Sequence, residues 1–496
     1  KLIGLGPKVT RAKGHSARAT LTNTNTFGPG YDGDIVRLAK NNVVENIHFD
    51  NAWRSSIFGF NPDGAEIRDN LFTNDMAVHD LFAIEGPPPA TCGGGVCAGE
   101  WPAGFIIHAP QTNRDSNSDG MMLINDTGVT ANMLVDKNVI RDLSQGLPDP
   151  SSVGISDHVV RSRGITTITI DHSVSNLTLT NFIGSNLSPF GTFAADGIVY
   201  LASGMDPEVN STVEDVLIEN PFLSGDTSNG DSVEIQHRAS TNGVLNIDIR
   251  RALLKDPAST NIKLINSTNP LNGIYNVTVR DSVLSNINAA GNEDAQIRFS
   301  GGSNRGAATD TLNLTLKNVR ISGLGRGIAP SGEVSPDDLP TLRISVEDSC
   351  LSGLTDEAVL WINPASLTTD AIIDLGGGPL GSAGRNRFVN NGIPGYVPPG
   401  ADLLGIDPVV FQADVAVTNG NASPPAIAVY ADNNYWGGGA PLVSTTIGDD
   451  VFIPAGSNVT FSAATFLAAD PCAKSAKSAK KVKSVKKVKK SSKSSK

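Results

Sequence analysis

Cysteine, aromatic side chains and long apolar runs are all scarce in this 496-residue chain, and each scarcity excludes something. Four cysteines are too few for a disulfide-dense mini-scaffold. Aromatics at 5% and charged residues at 18% do not fit a long helical protein rich in Ala, Glu, Lys and Leu. No run of eighteen or more apolar residues occurs, so no transmembrane helix is expected. A phosphate-cradling loop, a zinc-binding helix motif and a nucleophile elbow are all missing. The chain also starts at Lys1 without an initiator Met or a recognisable signal peptide, and its first residues already read as strand and turn. The expectation is that a leader or a longer upstream region has been removed.

What is abundant is glycine, proline and one repeated phrase. Gly 51 and Pro 29 suit many short strands joined by turns. The phrase reads apolar, x, Asn, apolar, x, apolar, x, then Asn or Asp, and its clearest copy is Ile274 to Asp281. Earlier copies begin at Val44, Ile67, Val135, Val174, Val213 and Val244, later ones at Thr311 and Thr341. Alternation of apolar and polar residues is the period of a strand with one buried face. Apart from a longer gap after Ile67, the copies recur every ~23 to 39 residues, a period that means a solenoid or an array. Between copies lie further strand-like runs, such as Asp196-Gly-Ile-Val-Tyr-Leu and Asp231-Ser-Val-Glu-Ile-Gln.

Two or more short strands per period, joined by turns of variable length, predict an all-β fold: a single-stranded parallel β-helix over 1–375, right-handed by the resemblance given below. Irregular terminal coils and a C-terminal cap follow over 376–472, and a disordered Lys-rich tail over 473–496. Propellers and sandwiches need hairpins, whose tight Asn-Gly signal is sparse here. Glu85–Trp101 and Leu324–Pro340 read as long surface loops. Asn in the phrase suits left-handed turns and stacked amide ladders. The nine Asn-x-Ser/Thr sequons read as a by-product of such turns beside Thr-rich strands.

These phrases, together with Asp432-Asn-Asn-Tyr-Trp-Gly437 and the ending Phe466-Leu-Ala-Ala-Asp-Pro471, resemble the right-handed parallel β-helix proteins of the pectin-lyase-like superfamily. The likeness is strongest to bacterial surface and secreted members with an Asn-Tyr/Trp-Trp-Gly motif near the end of the helix. It covers nearly everything from Lys1 to about Asp470. It implies the fold but no single activity, because this fold carries lyases, hydrolases, epimerases, adhesins and phage spikes.

Four features depart from the phrase. Cys92 and Cys97 bracket a Gly-rich loop and are expected to close a small disulfide ring, which points to an oxidising compartment; Cys350 and Cys472 are a second pair or two free thiols. Asp115-Ser-Asn-Ser-Asp-Gly120 followed by Asp126 spaces oxygen donors like a calcium loop, with Asp115, Asn117, Asp119, the Met121 carbonyl and Asp126 as ligands. Against it stand Asp126 where a bidentate Glu belongs, Leu123 at the ninth position and no flanking helices; an Asp/Asn/Gly turn is the plainer reading.

A third feature lies in mid-chain. If Val233, Ile235, Ile262, Leu264, Ile297 and Phe299 point inward, then Glu234, Lys263 and Arg298 point outward on neighbouring strands, with Asp231, His237 and Arg238 close by. Proton abstraction beside a uronate carboxylate needs a base with cationic or calcium stabilisation, which such a face offers. A plain cross-strand charge ladder is the alternative. The residue series of pectate lyases, polygalacturonases and alginate epimerases are incomplete, which weakens the enzyme reading.

Last comes charge. Ala473–Lys496 holds eleven lysines and no acid, so the body carries 28 − 50 = −22 against −11 for the whole chain. An acidic body is a poor nucleic-acid binder, whereas the tail is a polycation suited to an anionic polymer or surface. The functional expectation is an extracellular or cell-surface protein with a structural or adhesive role, contacting a polysaccharide or cell-surface glycan. Self-association through its coil ends is expected too, since open strand edges invite pairing. The alternative is a lyase, hydrolase or epimerase acting on acidic polysaccharide.

Overall fold

The computed structural model describes residues 2–3, 19–22, 35–50, 55–74, 118–126, 128–143, 162–185, 195–219, 230–257, 259–267, 272–287, 295–301, 310–330, 341–363, 371–392, 413–419, 426–445 and 450–473. Among them there is no helix, and no segment is long and apolar enough to cross a membrane as one. The strands form three sheets of 13, 11 and 13 strands, each paired in parallel with the strand of the next coil. This is a parallel β-helix, and one hydrophobic core runs through its interior from Leu38 to Val451. The first sheet continues without a break from Thr341–Glu347 through Ala371–Gly376, Ile427–Ala431 and Val459–Ser462, so stacking does not stop near residue 375.

The repeated phrase is the first-sheet strand plus its corner. In Ile274–Arg280 the burial alternates: Tyr275, Val277 and Val279 enter the core, while Asn276 and Thr278 face out. The acid or amide that closes the phrase is the corner itself. Asn181, Asp281, Asn318 and Asp348 all take φ of 53° or 54°, a left-handed geometry that short Asx side chains tolerate. A short strand of the second sheet follows each corner, as in Ile183–Ser185 and Leu217–Glu219.

Four copies are placed differently. Starting at Val44, Ile67, Val135 and Val213, they straddle the corner: Val43–Glu45, Ala65–Arg68, Thr130–Asp136 and Glu208–Glu214 belong to the first sheet, whereas Ile47–Asp50, Leu71–Asn74, Val139–Leu143 and Leu217–Glu219 belong to the second. Their asparagines therefore do a different job from Asn276. Asn70 and Asn138 are buried inside the corner, where Asn138 Oδ1 accepts from Asn70 N at 3.1 Å and Nδ2 at 3.0 Å. One apolar–Asn pattern thus encodes two ladders, one inside and one outside.

The C-terminal end uses the same corner chemistry. Asn386 Nδ2 donates to the carbonyls of Val346 and Leu375, both at 2.7 Å, and Asn434 Oδ1 accepts from Asn386 N. Asn434, from the Asp432–Gly437 motif, is thus the final rung, and Trp436 stacks on Phe388 with centroids 5.0 Å apart. Irregularity after Asp374 has a local cause: the Asp374 carboxylate gathers the amides of Gly376, Gly378, Leu380 and Ser382 at 3.0 to 3.3 Å, holding a long turn. Cys350 and Cys472, the pair left open from sequence, form a disulfide that ties the end of the chain to a coil 122 residues earlier. Cys92 and Cys97 lie outside the described residues.

Leu324–Pro340 is not wholly a loop. Arg326–Pro330 forms a strand of the third sheet, and Gly327 N donates to Glu357 O. An Arg-Gly-Ile-Ala-Pro run has no alternation to reveal it, because both faces of this strand are buried.

Candidate functional site

The third sheet decides the site, because along most of its described length it is buried on both faces. Its inward residues include Val233, Ile235, Ile262, Leu264, Ile297 and Phe299, all in the main core as expected from their alternation. Outward, the early coils bury an apolar cluster of Phe58, Met122, Ile124, Ile168, Ile170 and Leu201. Further along the same face, charge replaces it. Glu234 stands opposite Lys263, and Lys263 opposite Arg298, in one row across Val233–Thr241, Ile262–Ser267 and Ala295–Gly301.

These groups point outward but are not exposed, which corrects the open face expected from sequence. Asp231 has no accessible surface, and Glu234, Lys263 and Arg298 keep 4% each. Strand alternation says which way a side chain points; it cannot say whether something lies above it. Two partners escaped the sequence reading. Arg163 and Asp196 are equally buried and sit in register with each other, with Arg163 Nε 3.5 Å from Asp196 Oδ2. Their signal was an alignable one, since Arg163-Gly-Ile, Asp196-Gly-Ile and Asp231-Ser-Val occupy the same place at the start of successive third-sheet strands.

The result is a cluster of three acids and three bases. Asp196, Asp231 and Glu234 each bring a carboxylate oxygen within 4.8 Å of the others. Lys263 Nζ lies 3.4 Å from Asp231 Oδ2, and Asp231 Oδ1 accepts from Thr260 N at 3.1 Å. Asp231 N donates in turn to Asp196 Oδ1 at 3.2 Å. Burial pushes the Glu234 carboxyl up to about 7, helped by Asp196 and opposed by Lys263 and Arg163. Asp231 is raised for the same leading reason, with Lys263 and Arg298 pulling against Asp196.

Three carboxylates this close are a chemically reasonable cation holder. Here, however, the ammonium of Lys263 and the guanidinium of Arg163 already stand against them, so the positive charge is built into the chain. Chemically the group can keep a proton at neutral pH and place it beside cations. As described, it does so out of contact with solvent.

Of His237 and Arg238, the described contacts of the first lie elsewhere. His237 is buried in the corner leading to the first sheet, where Nδ1 lies 2.8 Å from Ser240 Oγ and the ring meets Tyr275 edge-on at 4.5 Å. Burial pushes its imidazole down to about 4, so it is neutral at physiological pH. Arg238 lies in the strand Val233–Thr241, and its side chain is outside the described residues.

The calcium-spaced residues are not brought together on one described loop. Asp115 and Asn117 lie outside the described residues. Asp119 and Met121 belong to the continuous strand Ser118–Asn125, with Met121 in the main core, and buried Asp126 follows that strand, its N–H donating to Asn61 Oδ1 at 2.8 Å. Seven residues of extended chain between Asp119 and Asp126 span roughly 23 Å, whereas a calcium loop must curl its ligands onto one point.

Farther along, Arg326 bridges Asp356 at 3.0 Å and Glu357 at 3.2 Å. Burial, then Asp356, raises the Glu357 carboxyl well above its ordinary value. Asp414, pushed up to about 7 by burial, accepts from Asn391 Nδ2 at 2.8 Å. The folded protein therefore holds a proton on Asp414 that the unfolded chain, at its ordinary 3.8, has already released. Stability falls as pH rises between those two values and is level above about 7. Asp414→Asn keeps the acceptor and removes the titration. It is expected to flatten the decline of stability between about pH 5 and about pH 8 by on the order of 2 kcal/mol, measured by urea unfolding across pH; an unchanged slope contradicts it.

No family model, no curated protein and no solved structure matches the chain.

Proposed function

We propose that this β-helix has a structural and adhesive role outside the cell or at its surface, contacting glycans or further copies of itself, with the Lys-rich tail held to an anionic polymer or surface. The observation that carries the reading is the burial of the acid–base cluster. Asp231, Glu234, Lys263 and Arg298 are the groups a polysaccharide-cleaving site would have to present, and they are 0 to 4% exposed. The Cys350–Cys472 disulfide supports an oxidising compartment. The eleven lysines of the tail, set against an acidic body, support binding to anionic surfaces.

One observation favours the enzyme alternative. A carboxyl titrating near neutrality beside Lys263 and Arg298 is what proton abstraction from an acidic sugar requires. A single experiment separates the two. The full chain is assayed on polygalacturonate, alginate and other uronic-acid polymers for new double bonds and reducing ends, and in parallel for retention on cells at low salt. Retention that weakens with salt and with deletion of 473–496, without turnover, is the expected result. Turnover abolished by Glu234→Ala overturns the adhesive role, and retention indifferent to the deletion overturns the role of the tail.

A further inference from the structure

The outward face of the first sheet carries an amide ladder. Asn132, Asn176, Asn210, Asn246, Asn276 and Asn313 lie opposite one another on six consecutive coils. Each Nδ2 donates to the Oδ1 of the preceding rung: 3.0 Å from Asn176 and from Asn210, 2.8 Å from Asn246, 2.7 Å from Asn276 and 2.8 Å from Asn313. Asn132 ends the series on Asp63 Oδ1 at 3.1 Å. The residues between the ladder and the corner, Leu177, Ile247, Val277 and Leu314, fill the core, so the ladder is fixed from below.

Such a ladder leaves half of its capacity unused. An amide offers two N–H donors and two acceptor lone pairs, and the ladder takes one of each. Asn210 alone spends its second N–H within the strand, on Glu208 Oε1 at 2.9 Å. One row along stand the hydroxyls of Thr178, Thr212, Thr278 and Thr315, exposed or half-buried. Asp248 interrupts that row, but despite partial burial Arg250 and Arg280, two cations on one carboxylate, hold its carboxyl below the ordinary range. The two rows line a shallow trough of about 460 Å³ spanning Asn176 to Asn276.

We infer that this trough binds a neutral, extended polysaccharide of the β-1,4-linked pyranose type, lying along the helix axis. Three properties select that ligand. The rungs repeat at the strand spacing of ~4.8 Å, close to the advance of one pyranose ring in an extended β-1,4 chain, so each sugar has its own rung and alternate sugars, which the two-fold turn of the chain presents alike, meet equivalent groups. Apart from the paired Asp248 carboxylate, the polar side chains lining the trough are uncharged donors and acceptors, which match sugar hydroxyls. No Lys or Arg lines the trough, so a polyanion finds no cation within it and is repelled by a body of charge −22, from 28 − 50 once the tail is set aside. Because the ladder already holds the amides in place, little side-chain entropy is lost on binding.

This inference rests on the adhesive reading above and names its glycan. The test is affinity electrophoresis of the full chain through gels containing hydroxyethylcellulose, with polygalacturonate gels as the charged comparison and a glycan array alongside. Expected is retardation by the neutral glucan and none by the polyuronate. The double variant Thr212→Val with Thr278→Val keeps shape and strand propensity while removing two hydroxyls; it should bind about tenfold more weakly with an unchanged melting curve. Equal retardation of wild type and variant, or retardation by polygalacturonate alone, overturns the trough as the site. Binding elsewhere on the array with no hydroxyethylcellulose retardation overturns this inference and leaves the adhesive role standing. No binding to any glycan or cell overturns both.

Discussion

Lys263→Met is expected to cost about 3 to 5 kcal/mol of stability at about pH 8, because it strands buried carboxylates without their nearest cation. Lys263 is 4% exposed and Asp231 fully buried, so solvent cannot replace the lost ammonium. The loss should shrink at about pH 5. Glu234, raised to about 7, is then protonated and one of the three negative charges is gone. Adding Glu234→Gln should restore much of the stability at the higher pH, the signature of two groups coupled in one network. Urea unfolding of the four proteins at both pH values measures this. A loss under ~1 kcal/mol at about pH 8 would mean that water reaches the cluster, and the argument against a sealed active site would fall with it.

Opening the Cys350–Cys472 bridge has the second-largest expected effect, roughly 2 to 5 kcal/mol. The bridge spans 122 residues of sequence and joins a coil of the helix to the last described turn. In a solenoid each coil touches only its neighbours, so the damage should stay local. Limited proteolysis of the Cys350→Ser, Cys472→Ser double variant should cut first within 426–473, where Trp436 closes the core and Arg387 pairs with Asp470 at 3.2 Å. The strands from Val174 to Arg280 should remain protected. Cleavage spread evenly along the chain would contradict a cap held by this bond.

Much of the fold was legible because period-two burial is a local property. Val277 and Val279 had to face one way and Asn276 the other, whatever else the chain did. The corner was half legible: Asp281 closes the phrase because it can adopt a left-handed turn, a preference of the residue itself. The copies at Val44, Ile67, Val135 and Val213 were read as equivalent to the others, because in one dimension a phrase that straddles a corner looks like one that ends at it, and buried corner asparagines look like exposed ladder asparagines. Arg326–Pro330 was missed since a strand covered on both faces shows no alternation.

The candidate site was less legible than the fold. Glu234, Lys263 and Arg298 were correctly placed in one outward row, as register alone requires. Asp196 and Arg163 were absent from that reading because they come from earlier coils, joined to the row only by stacking. The sequence by itself determined the repeat, the direction of each side chain along a strand and the residues able to turn a corner, since each follows from backbone sterics and short-range alternation. Only the tertiary structure decided which face is covered, which coils share a charge cluster and which asparagines form a ladder open to solvent. Those outcomes depend on contacts between residues some 25 to 40 positions apart along the chain, and no local preference carries them.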